Sequence, residues 1–427
     1  MTVLIFIGAL LGTMAFGVPI AYALLLSGVA LMFHMDLLDA QILAQAVING
    51  ADNFPLLAVP FFMLAGEIMN VGGLSKRIVN FALCLVGHKR GGLGFVAIIA
   101  ATLMAALSGS AVADTAALGS LLLPMMVSAG YNRGRSAGLL AAGGIIAPII
   151  PPSIAFIIFG VAANLSITRL FMAGIFPGLM MATFLSVTWY VVAGKEGLVP
   201  MEKPAKGMLW QSFRTSVWAL FLPVIIIVGL RMGVFTPTEA AVVAAVYALF
   251  VAAVIYRELT LKQLYQVIVG AGKTTSVIMF LVASAMVSAW LVTVAEIPLK
   301  LVEMLTPFMG SPTILLVAIM ILALLIGMAM DMTPIILIMT PVLMPVIKAA
   351  GIDPIYFGVL FVMNCSLGLI TPPVGTVLNT ICGVGKLKME DAVRGVFPFL
   401  MAEVAVMFLL VCFPQLVIVP GRWLYGG

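Results

Sequence analysis

Leu107-Ser108-Gly109-Ser110-Ala111-Val112-Ala113-Asp114-Thr115 and Gly327-Met328-Ala329-Met330-Asp331-Met332-Thr333-Pro334 are two readings of one pattern. Each sets an aspartate amid apolar sequence, with a proline ten residues on (Asp114 to Pro124, Asp331 to Pro341). Each then reaches a proline pair inside an apolar run. These are Ala147-Pro148-Ile149-Ile150-Pro151-Pro152-Ser153 and Gly368-Leu369-Ile370-Thr371-Pro372-Pro373-Val374-Gly375. The aspartates are 217 residues apart (331 − 114) and the proline pairs 221 (372 − 151). Gly/Pro-interrupted hydrophobic segments at matching places in two halves point to a binding site built from broken membrane helices.

Composition fixes the setting. The 427 residues are 63% hydrophobic and 9% charged, against about 25% charged for an ordinary soluble domain. The apolar runs are long enough for helices, which need about 20 residues to cross a bilayer. The short alternation of a membrane β-barrel is absent. The net charge of +5 reports orientation rather than a nucleic-acid partner. The four cysteines sit in apolar runs without CxxC spacing and read as small buried hydrophobes. The start of the chain has no basic region or cleavage site and reads as a first span.

Working outward, residues 3–33 form one apolar run, interrupted at Gly17-Val18-Pro19, that must tilt or kink, and 36–51 an interfacial stretch. Residues 55–73 cross next, followed by a basic loop with Lys76, Arg77, Lys89 and Arg90. Residues 91–128 are interrupted at Ser108–Asp114 and flanked by basic residues at both ends. This reads as a re-entrant hairpin entering from the cytoplasm. Irregular backbone at that depth is tolerated only against protein or a cavity. Residues 136–163 form a broken helix unwound at Pro148–Pro152, and 168–193 return. A linker at 195–216, carrying Lys195, Lys203, Lys206 and Arg214, divides a first repeat (1–194) from a second (217–427). Spans follow at 217–231, 237–257 and 273–295. A hairpin at 312–347 then enters from outside, a broken helix follows at 354–381, and a last span covers 395–419. Of the 21 basic residues, all but Arg169, Arg231, Lys300, Lys348 and Arg422 fall on the inner side. The fold class is thus an all-α polytopic membrane protein with inverted repeats, two re-entrant helical hairpins and two broken helices. Its N-terminus is expected in the cytoplasm and its C-terminus outside.

A broken helix exposes backbone groups at mid-membrane. N-terminal half-helix ends suit a carboxylate, while unwound carbonyls and C-terminal ends suit a hard cation such as Na⁺. Ser108, Ser110, Thr333 and Thr371 add hydroxyl oxygens. Intramembrane acids mark function by default, so Asp114 and Asp331 lead; capping the following half-helix is the structural alternative. Glu239 follows Thr236-Pro237-Thr238 and reads as part of a capping box. Glu403 reads as a helix-packing residue. Gly272-Lys273-Thr274 hints at a phosphate loop, but no strand precedes it and the first glycine is missing. An aspartyl protease would need its two carboxyls to share a proton, and nothing places these two together. No enzymatic chemistry is expected.

The quoted segments together resemble the large membrane subunit of tripartite ATP-independent periplasmic (TRAP) transporters, over essentially the whole chain. The resemblance implies a bacterial inner-membrane protein with a mobile domain of hairpins and broken helices, moving as an elevator against a scaffold. It implies coupling to Na⁺ with no other cofactor. Expected partners are a small four-span membrane subunit and a soluble periplasmic binding protein, neither fused here. Cargo would be an organic acid, in this branch a sugar acid such as diketogulonate. Carried over by position, Ser108, Gly109, Ser110, Asp114, Ile149 and Pro151 would build a first sodium site. Asp331, Thr333, Gly368 and Thr371 would build a second, and Ser153, Thr376 and Asn379 would face substrate. A stand-alone sodium/dicarboxylate symporter of the same architecture is the alternative.

Overall fold

The computed structural model describes residues 2–205, 207–305 and 310–426, so Lys206 of the expected linker lies outside the described residues. Among the described residues every regular element is helical. Among them, eight helices are long and apolar enough to cross a membrane, and the chain is a multi-pass membrane protein.

The first apolar run departs from expectation. It is two helices, α1 (Thr2–Ala15) and α2 (Ile20–His34), packed against each other. Gly17 takes a left-handed φ of +81° and Pro19 follows, so the chain makes a full turn at the break where only a tilt or kink was expected. Then come α3 (Ala40–Ala51), capped by the Asp39 carboxylate, and α4 (Ala58–Val71). The expected basic loop is largely a helix, α5 (Leu74–Val86). Its Leu74, Ile78, Ala82 and Val86 are buried at spacings of four while Lys76 is exposed, a helical stripe that the basic residues masked. Arg77 of α5 pairs with Glu258 at 2.7 Å and stacks on Tyr256 at 3.7 Å.

The central elements are α6 (Gly92–Ser108), α7 (Ala111–Ser128), α8 (Arg133–Gly144), α9 (Ile154–Ala163) and α10 (Ile167–Lys195). Helix α11 (Met208–Arg231) starts inside the expected linker, which therefore shortens. Helix α12 (Pro237–Phe250) opens with the full capping box between Thr236 and Glu239. Helix α13 (Leu261–Val294) begins twelve residues before Lys273, where a span was expected to start. Next are α14 (Ile297–Leu305), α15 (Pro312–Gly327), α16 (Met332–Ala349), α17 (Pro354–Gly368) and α18 (Thr376–Gly385). The expected last span is divided at Phe413-Pro414 into α19 (Met389–Cys412) and α20 (Gln415–Tyr425).

The order of elements recurs. The starts of α5, α9 and α10 return 223, 222 and 222 residues later at α14, α18 and α19 (297 − 74, 376 − 154, 389 − 167). The contacts within each half also match. Gly143 packs on Ala101 and Gly109 on Pro152, so α6 runs parallel to the chain from α8 into its break. The Asn364 amide donates to the Met320 carbonyl and Gly368 packs on Gly327, so α15 and α17 run parallel too. The first broken helix is anchored by small residues: a Cβ on Gly395 would sit 2.0 Å from the Gly134 carbonyl oxygen. Lipid tails give helices little hydrophobic reason to associate, so such backbone-to-backbone fits carry the packing.

Candidate functional site

The tip between α6 and α7 is a two-residue break. Gly109 sits at φ +63°, a conformation that suits glycine. Ser110 caps α7, its hydroxyl accepting from the Ala113 amide at 3.4 Å. Asp114 is thereby freed from a capping role. Its Oδ1 accepts from the Ser108 hydroxyl at 2.5 Å, and that hydroxyl oxygen accepts from the Ser110 amide at 3.2 Å. Asp114 is 1% exposed and its Oδ2 has no partner. A carboxylate oxygen so deeply buried without a partner among the described residues is costly.

This tip lies on the break between α8 and α9, residues 145–153. A Cβ at Gly109 would meet the Pro152 carbonyl oxygen at 2.4 Å. Ile149 and Pro151 are buried in the same break. The Ile149 amide donates to the Ile146 carbonyl, and among the described residues no hydrogen bond joins Ile149 or Pro151 to Asp114. Thr115 was not singled out by sequence. It is fully buried with a partnerless hydroxyl and packs against Gly144. Its one sequence signal was adjacency to Asp114.

The second tip has different chemistry. Asp331 stands at the N-cap of α16 but makes no side-chain capping bond. Its Oδ1 instead accepts from the Thr376 hydroxyl at 3.4 Å. The Val374 amide donates to the Met328 carbonyl at 3.2 Å, joining this tip to the break between α17 and α18. Gly327 and Gly368 touch backbone to backbone. The Thr371 hydroxyl donates to the Leu367 carbonyl at 2.7 Å, back along its own helix.

Both tips open on one cavity of about 270 Å³. Gly109 and Ser110 line it from one side, Asp331 and Thr333 from the other, and Met63, Thr274 and Val277 of α4 and α13 close it. The N-terminal ends of α7 and α16 also reach it, at Ala111 and Met332. Those ends offer N–H groups and partial positive charge to an anion. Ser153, Thr376 and Asn379 are not in this lining. Ser153 is fully buried; its hydroxyl donates to the Pro148 carbonyl and accepts from the Phe156 amide at 3.1 Å, capping α9. Thr376 faces Asp331, and Asn379 donates to the Val374 carbonyl at 2.8 Å. Met63 and Thr274 carry no local signal, because their role comes only from where distant helices meet.

Known proteins resemble this chain. The family described as tripartite ATP-independent periplasmic transporter, DctM component, matches residues 7–416. The chain is 61% identical, over 99% of its length and all of the relative's, to the 2,3-diketo-L-gulonate TRAP transporter large permease protein of Escherichia coli. It is 38% identical to the sialic acid TRAP transporter large permease protein of Vibrio cholerae, covering 95% of each chain. It is 36% identical to the C4-dicarboxylate TRAP transporter large permease protein of Rhodobacter capsulatus, over 97% of this chain and 98% of that one. Among solved structures it resembles the Alcanivorax borkumensis YdaH transporter, with a TM-score of 0.65 at 14% identity over 92% and 91% of the two chains. That likeness concerns the fold.

Proposed function

The chain belongs to the DctM family of tripartite ATP-independent periplasmic transporters as a large permease subunit, and from that premise we propose that it carries a sugar acid into the cell on a sodium gradient. The observation that carries the proposal is the cavity shared by the two tips, which sets bare backbone ends and Asp331 around a space fit for a small carboxylate, with Asp114 buried behind the first tip. The similarity to a diketogulonate permease supports a sugar acid as cargo.

In this reading each tip holds one Na⁺. At the first, the free oxygen of Asp114, the Ser108 hydroxyl and the Pro152 carbonyl supply hard oxygen ligands, with Thr115 beside them. At the second, Asp331 and Thr333 serve, and Thr376 orients Asp331. The contact of Gly368 with Gly327 keeps break and tip together. Substrate lies between, its carboxylate on the N-terminal ends of α7 and α16. The recurring elements form inverted repeats, with hairpins entering from opposite faces. The two hairpins and broken helices move as an elevator past α2, α4, α12 and α13.

The membrane is the bacterial inner membrane. Because α1 packs against α2, we place both chain termini on the periplasmic side in this reading, where the sequence alone predicts a cytoplasmic N-terminus. The partners are a small membrane subunit and a periplasmic binding protein that delivers cargo. The test is uptake of radiolabelled 2,3-diketo-L-gulonate into proteoliposomes holding this chain and the small subunit. Uptake is expected only with the binding protein outside and an inward sodium gradient. Uptake by this chain alone would instead mark it as a stand-alone symporter.

A further inference from the structure

We propose that Lys273 of α13 is the cation that meets the substrate's carboxylate at the inner mouth of the cavity. The inference rests on the organic-acid reading above. It starts from a charge imbalance: among the described residues, the one charged side chain lining the shared cavity is Asp331, which repels an anion. The helix ends and the proposed sodium ions offset the aspartates, but no full positive charge from protein stands in that lining.

Lys273 is placed to supply it. The next residue, Thr274, lines the cavity. Ser276 and Val277, three and four residues on and therefore on the same helix face, line an adjoining cavity of about 490 Å³ that also contains Asp331. Val277 belongs to both cavities and is 69% exposed, so this face of α13 looks onto open volume rather than packed protein. Lys273, Thr274 and Ser276 are exposed as well.

The lysine is also uncommitted. The ion pairs among the described residues are Arg77–Glu258 and Arg135–Glu196, and α13 contains no acidic residue. From Lys273 to the end of α13 at Val294 the rise is about 32 Å at about 1.5 Å per residue, close to the thickness of a hydrocarbon core. Lys273 therefore stands at the cytoplasmic edge, and its side chain leans toward the helix N-terminus, out of the mouth. The triplet Gly272-Lys273-Thr274 lies inside a continuous helix, so its meaning is this position and not a phosphate loop. Because α13 is scaffold in the elevator reading, Lys273 meets cargo only when the carrier is at its inner position.

The test is equilibrium binding of radiolabelled 2,3-diketo-L-gulonate, in Na⁺, to inside-out vesicles carrying the assembled transporter, with binding-protein-driven uptake in right-side-out vesicles as the second arm. K273Q is expected to weaken cytoplasmic-side binding about tenfold, the scale of one lost charge-assisted hydrogen bond, while K273R stays near wild type. The uptake KM should be unchanged in both variants. Equal cytoplasmic binding by K273Q and wild type overturns the proposal. So does an equal loss on both sides, which would indicate a general structural fault. If wild type binds succinate and not the sugar acid, the sugar-acid reading falls, and the two variants are compared on succinate. If wild type binds neither, the organic-acid reading and the role of Lys273 fall together.

Discussion

The backbone amide of Leu93 donates to the phenol oxygen of Tyr131 at 3.3 Å, closing a contact between residues 38 apart in sequence. Leu93 begins α6 and Tyr131 follows α7, so the two helices double back and their open ends meet. Tyr131 also stacks on Trp189 with ring centroids 6.0 Å apart, and the Trp189 indole donates to the Gly91 carbonyl at 2.8 Å. Tyr131→Phe keeps the stack and removes the hydrogen bond. The expected cost is about 1 kcal/mol, seen as a lower melting temperature of the purified protein. An unchanged melting temperature would mean that the contact does not hold the hairpin closed.

Asp114→Asn and Asp331→Asn test the proposed ion sites separately. Each keeps the shape of the side chain and removes the negative charge that a hard cation needs. Sodium-driven uptake should drop at least tenfold in each, roughly the effect of one charge-assisted contact, with normal protein levels in the membrane. Normal sodium dependence in both variants would rule out these carboxylates as ligands.

Gly368 and Gly327 are packed too tightly to exchange freely. A Cβ on Gly368 would sit 2.8 Å from the Gly327 backbone, whereas one on Gly327 would sit 3.3 Å from the Gly368 Cα. Gly368→Ala should therefore destabilise by about 1–3 kcal/mol, with Gly327→Ala costing less. Thermal unfolding of the two variants in detergent checks the order. The reverse order would contradict the described fit.

Ser153 and Thr333 separate a cap from a cavity residue. Ser153→Ala should lose about 1 kcal/mol of stability through the α9 cap and leave the substrate KM unchanged. Thr333→Val should raise KM with little change in stability, since Thr333 lines the cavity. Uptake kinetics alongside melting curves distinguish the two patterns. A raised KM in the Ser153 variant would restore that residue to the substrate path.

Much of this was legible in the residues because the signals are local. Gly109 and Ser110 mark a break because one can take a left-handed φ and the other can cap a helix, and the paired prolines mark the second kind of break. The spacing from Thr236 to Glu239 determines a capping box without any tertiary help. Hydropathy locates most of the spans. Where a local signal was ambiguous the reading slipped. The basic residues of α5 hid its apolar stripe, and the break at Gly17-Val18-Pro19, read as a tilt or kink in one run, is a turn between two helices.

The sequence by itself determined that this is a membrane protein of broken helices, and it determined which two aspartates sit beside the breaks. Hydropathy and backbone chemistry are properties of neighbouring residues, so they survive in one dimension. Only the tertiary structure decided that Ser153 is a cap, that Thr115 sits with a bare hydroxyl beside Asp114, and that α13 brings Thr274 and Ser276 to cavities beside the tips. Those roles arise from contacts between helices far apart along the chain, and such proximity leaves no mark in the order of the residues.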